Sequence, residues 1–162
     1  MPRMWVILSI LTLFAFPAIA ADATKADVAT IKKCLASSKS DGHNCIGKIA
    51  DKCQAGPDGS TTTGIDECLG REETAWDMLL NENYRFATTV AKDQDSSYTE
   101  QGIETGAAAS LVKAQRAWVA FRDAECDRRF EMHKDGTIRT NIASSCLLDL
   151  TAARALDLQS VE

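Results

Sequence analysis

Only two histidines occur among 162 residues, His43 and His133, and both fall in or beside predicted polar turns. Neither has a serine or thiol partner in a recognisable nucleophile pattern, and HExxH, GxSxG, GxGxxG and Walker-type loops are all missing. CxxC is missing too, which removes zinc-knuckle spacing and haem attachment together. A metal site built from His43, Met132 and His133 would rest on three scattered ligands. Carboxylates are plentiful, but a glycosidase needs two facing across a cleft with separated pKa values. Glu72, Glu73 and Asp77 follow one another on a single predicted helix, where a solvated stripe is the ordinary arrangement. These absences point to a non-enzyme with no cofactor and no metal.

Basic charge is also in deficit. The formal net charge is −5, and it becomes more negative once Arg3 is removed with the leader described below. Phosphate backbones would be repelled, so nucleic acid is excluded as a partner. A basic protein would be attracted. Long apolar runs are lacking as well. Met4 to Phe16 is the one such stretch, shorter than the roughly 20 residues that span a bilayer. Arg3 precedes it, Pro17 breaks it, and Ala18-Ile19-Ala20 offers the small residues that signal peptidase accepts. Residues 1–20 therefore read as a cleaved signal peptide, with no membrane span afterwards. No cysteine follows the run to carry a lipid. The expected location is the periplasm or the exterior.

Six cysteines remain in the exported part: Cys34, Cys45, Cys53, Cys68, Cys126 and Cys146. An even number in an oxidising compartment reads as a disulfide framework. Fifteen pairings are formally possible. Chain proximity favours Cys34–Cys45, Cys53–Cys68 and Cys126–Cys146, each closing a short loop between consecutive helices.

Strand signals are nearly absent, and the periodicity is helical throughout. Val28, Ile31 and Leu35 line a helix over about Thr24 to Ser37. Cys45, Ile49 and Cys53 share one side of a short second helix. Gln54 to Thr63, with Gly56-Pro57-Asp58-Gly59, is a loop by composition. A third helix starts near Thr63 as N-cap, buries Ile65, Leu69, Trp76, Leu80, Tyr84 and Ala87, and extends to about Ala91. Lys92 to Thr105 is a polar linker. In the fourth helix Leu111, Ala114, Trp118 and Phe121 fall on one face. In the fifth, Ile142, Cys146, Leu147, Leu150 and Leu158 do. The turn Lys134-Asp135-Gly136-Thr137 joins these two into a tight hairpin. The fold class is all-α, a small disulfide-stabilised bundle of about five helices. Residues 21–61 form a helical N-terminal extension, and 62–160 the main helical domain.

Polar residues also lie along faces that should meet. Asp77, Asn81 and Tyr84 align on the third helix, Gln115, Trp118 and Arg122 on the fourth, and Thr151 and Arg154 on the fifth. Arg122 or Arg154 can form charge-assisted bonds to Asp77 or Asp123. A buried network of Asp77, Asn81, Arg122, Asp123 and Arg154 that fixes helix register is the expectation.

The run Gln115, Trp118, Phe121-Arg122-Asp123-Ala124 and Cys126, followed by Cys146-Leu147, Leu150-Thr151, Arg154 and Leu158, resembles the LprI-type lysozyme inhibitor family. Upstream, Cys68, Trp76-Asp77, Leu80-Asn81 and Tyr84 match the first half of the same pattern. The resemblance covers roughly residues 62 to 160. It implies a small helical secreted or envelope protein, some of whose relatives inhibit lysozyme, and hence a protein partner, with a C-type lysozyme leading. Two segments are candidate projections for such contact. One is the linker carrying Tyr98; the other is the turn Met132 to Arg139, with Lys134 and Arg139, held at its sides by Cys126 and Cys146. The alternative is a periplasmic scaffold or accessory protein binding another envelope component. Salt separates the two, because electrostatic capture of a lysozyme weakens with ionic strength and an apolar contact does not.

Overall fold

A computed structural model describes residues 18–38 and 41–159, with side chains from Thr24 onward. The described residues form five α-helices and one 3-10 turn, without strands. They are α1 (Ala18–Ser37), the turn Gly42–Cys45, α2 (Lys48–Gln54), α3 (Thr62–Glu100), α4 (Ala107–Met132) and α5 (Arg139–Gln159). The expected signal peptide falls largely on residues 1–17, outside the described residues; α1 begins at Ala18. No helix among the described residues is long and apolar enough to cross a membrane.

α3 is the spine and packs against all four other helices. Its 39 residues rise about 57 Å at 1.5 Å per residue. The helix starts where the Thr61 hydroxyl accepts the Gly64 amide at 2.9 Å, so the N-cap lies two residues before the expected Thr63. Gly64 permits the entry loop to lie against the helix, because a Cβ there would stand 2.0 Å from the Asp58 carbonyl oxygen. α5 runs parallel to α3, with side-chain bonds pairing Asp66 to Ser144 and Asn83 to the Ala155 carbonyl. α4 returns antiparallel and packs against both.

The core joins Trp76, Leu79, Leu80 and Ala87 of α3 to Leu148, Ala152, Ala155 and Leu158 of α5. Ile31 of α1 and Ile49 and Ala50 of α2 close its other side. Cys34–Cys45, Cys53–Cys68 and Cys126–Cys146 are bonded, with Cα separations of 5.8, 5.6 and 5.5 Å. Each closes a short loop and adds about 3 kcal/mol, chiefly by restricting the unfolded chain.

Three expectations are corrected. Lys92 to Glu100 is helix rather than linker, because Asp95 caps the next helix, accepting the Ala107 and Ala108 amides at 2.8 and 3.0 Å. The turn is confined to Gln101–Gly106, with Gly102 at φ 72°. On α4, Leu111 and Trp118 pack against the core, but Ala114 and Phe121 face outward. Both pairs satisfy helical spacing, so periodicity alone could not separate them. Finally, Glu72 is not part of a solvated stripe: it is 0% exposed. Its carboxylate accepts the amides of Gly47, Ile49 and Ala50 at 2.7 to 2.9 Å, and the Trp76 indole N–H at 3.0 Å. It thereby caps α2, whose own N-cap, Gly47 at φ 88°, has no side chain to do so.

Candidate functional site

The α4–α5 hairpin ends in a braced tip. Cys126 and Cys146, both buried, tie the two helices together. Beyond the bridge, Arg139 donates to the Lys134 carbonyl at 2.9 Å and the Gly136 carbonyl at 3.4 Å. The same guanidinium lies over the Phe130 ring, 5.6 Å from its centroid. On α4, Glu125 accepts Arg128 at 2.7 Å and Arg129 at 2.9 Å. Those bonds hold the Glu125 carboxyl down at about 2. The Asn141 amide donates to the Thr62 carbonyl at 2.8 Å, tying the base of the tip to the start of α3.

What this frame presents is small and mixed. Lys134 stands out with 68% of its side chain exposed and pairs with Glu131 at 2.7 Å. Met132 and Ile138 flank it, 67% and 55% exposed. The tip thus places a cation between two exposed apolar side chains on an ordered turn. It holds no nucleophile and base within reach of each other. Arg139 acts as the brace, while Lys134 is exposed and bonded to Glu131.

Tyr98 is not part of this tip. It lies half-buried near the C-terminal end of α3, about 54 Å along the axis from Thr62, and Thr62 is where the tip is anchored. Tyr98 and Lys134 therefore sit at opposite ends of the bundle, and no single contact patch includes both.

The five polar residues of the seam divide into local pairs. Asn81 donates to both the carbonyl and the carboxylate of Asp77 at 2.8 Å. Arg122 pairs with Asp123 at 2.8 Å, stacks over Trp118 at 5.2 Å, and reaches the Thr151 hydroxyl at 3.5 Å. Arg154 donates to Gln115 at 3.0 Å and pairs with Asp157. Among the described residues no arginine bonds Asp77; the seam instead runs from Glu73 of α3, which accepts from Thr151 of α5 at 3.4 Å, to Arg122 of α4, which reaches the same hydroxyl. Burial and the neighbouring Asp77 push the Glu73 carboxyl above its usual range, against the opposing pull of Arg122.

An open groove of about 860 Å³ lies between α1, the 3-10 turn, α3 and α5, lined by Leu35, His43, Leu79 and Leu156 among others. Its rim polar groups bond one another: Lys32 with Glu82 at 2.8 Å, and the His43 ring with Asp41 at 3.1 Å. Among the described residues no cluster of three histidine, cysteine or acidic side chains is placed to hold a metal ion. Glu72 escaped the sequence reading although its signal was there. It shares a face with Leu69, Trp76 and Leu79 at steps of three and four.

The described residues form a disulfide-stapled, all-α domain. The chain belongs to the lysozyme inhibitor LprI family, which matches residues 53–158. It is also similar to an uncharacterized protein, R02472, of Rhizobium meliloti (strain 1021): the two are 30% identical over 98 residues, 60% of this chain and 70% of that one. No solved structure matches.

Proposed function

We propose that the protein is an exported, non-catalytic inhibitor of a C-type lysozyme, acting by protein–protein contact through the α4–α5 tip. The observation that carries this reading is the exposed Lys134 on a turn braced by Arg139 and stapled by Cys126–Cys146, in a member of an inhibitor family. A lysozyme cleft holds two carboxylates, and an ammonium on a rigid projection is complementary to them. The net charge of −5 steers the whole molecule toward a cationic enzyme. Three disulfides suit an oxidising compartment, in keeping with residues 1–20 serving as a cleaved signal and 21–61 as an extension of the 62–160 domain.

The test is lysis of peptidoglycan-containing cells by a C-type lysozyme, with and without the purified protein, at two salt concentrations. Dose-dependent protection that weakens with salt is expected. Unimpeded lysis at a large molar excess would overturn the proposal.

A further inference from the structure

The outer face of α4 has no neighbour in the fold. Leu111 and Trp118 turn inward, and Cys126 is the helix's one buried residue. Along the side of α4 next to that inward face, steps of three and four residues bring Ala114, Ala117, Phe121 and Ala124 into one exposed line, with Ala120 beside it. An ordinary solvated face carries charge at such positions. Here Phe121 is 57% exposed in the middle of an uncharged strip. Alternating steps of three and four are the spacing of a two-helix seam. The strip is bounded on one flank by Lys113 and Asp127, both exposed and neither in an ion pair among the described residues.

We infer that this face takes a second copy of the chain, the two α4 helices crossing antiparallel about a two-fold axis near Ala120. Two features select that arrangement. Placing Phe121 opposite Ala117 of the other copy seats each large ring on a small side chain, twice by symmetry. The same register sets Lys113 against Asp127 of the other copy, also twice, so both unpaired charges are neutralised. A parallel pairing would instead set Lys113 against Trp118 and Asp127 against Met132, leaving both charges unmatched. The antiparallel pair carries its two hairpin tips at opposite ends, about 45 Å apart at 1.5 Å per residue, so neither tip is covered. The dimer stands independently of the lysozyme reading. A two-helix contact of this length lies at the small end of specific interfaces, and association in the micromolar range is expected.

The experiment is sedimentation equilibrium of the full exported chain over a wide concentration range. A reversible dimer is expected. Phe121→Glu, at an exposed site, should give a monomer with unchanged helicity and melting. Lys113→Glu and Asp127→Lys should each weaken association about tenfold or more, since both symmetry-related pairs become repulsive. Combining the two in one chain should restore it. A monomer at every concentration up to millimolar overturns the inference. So does a dimer that survives Phe121→Glu, or charge reversals that fail to rescue one another.

Discussion

The carboxylate of Glu72, wholly buried on α3, accepts the amide of Ala50 on α2 at 2.7 Å. One side chain thus stands in for the cap that Gly47 lacks and fastens α2 to the spine. Replacing Glu72 with Ala leaves three amides and the Trp76 indole without their acceptor. The expected loss is about 3–5 kcal/mol, read from urea denaturation, together with faster hydrogen exchange at Ile49 and Ala50. Glu72→Gln should recover little of it, because its NH2 group would face N–H donors. Unchanged exchange at Ala50 would contradict the capping role.

Opening the hairpin staple should separate stability from fold. Cys126→Ser with Cys146→Ser is expected to cost about 3 kcal/mol, because the bridge closes a loop of about 20 residues. Thermal melting checks the cost. Circular dichroism should stay helical, since Leu148, Ala152 and Trp76 still pack.

Glu73 gives a pH signature. Its folded-state value is raised, foremost by burial. Ionising it therefore costs the folded state stability, and that cost is fully present above the raised value and absent at low pH, where the group is protonated folded and unfolded alike. Glu73→Gln should melt higher than the parent at pH 7, with the gap closing as pH falls through the carboxylate range. A gap that does not change with pH would place the effect in packing.

Asp95 should govern the far end of the bundle alone. Bonds from the Ala108 and Ala107 amides hold its carboxyl below the usual range. Asp95→Ala is expected to lower the melting temperature and speed exchange at Ala107 and Ala108, leaving any lysozyme inhibition intact. Lost inhibition in a folded Asp95→Ala protein would move the contact away from the α4–α5 tip.

Much of the architecture is legible in the sequence because consecutive helices sit side by side. Val28, Ile31 and Leu35, or Leu69, Trp76 and Leu80, repeat at helical steps and pack where the pattern puts them. The three bridges follow the same locality. What escapes is whatever depends on a distant partner. Glu72 reads as one carboxylate among several because its acceptor role is defined by amides 22 to 25 residues away. Lys92 to Glu100 reads as linker because polar composition hides a helix that Asp95 joins to α4. Phe121 reads as core because α4 is apolar on two sides, and only the position of α3 and α5 decides which side is covered. The tip was visible as a turn between two cysteines. The Arg139 brace over Phe130 was not, since it depends on two helices meeting.

The most direct test of the central claim is calorimetric titration of a C-type lysozyme with the parent protein, Lys134→Glu and Tyr98→Ala. The account predicts binding by the parent, a loss of at least about tenfold for Lys134→Glu as an ammonium facing carboxylates is reversed, and no change for Tyr98→Ala. Equal binding by the parent and Lys134→Glu, or a loss confined to Tyr98→Ala, would contradict it.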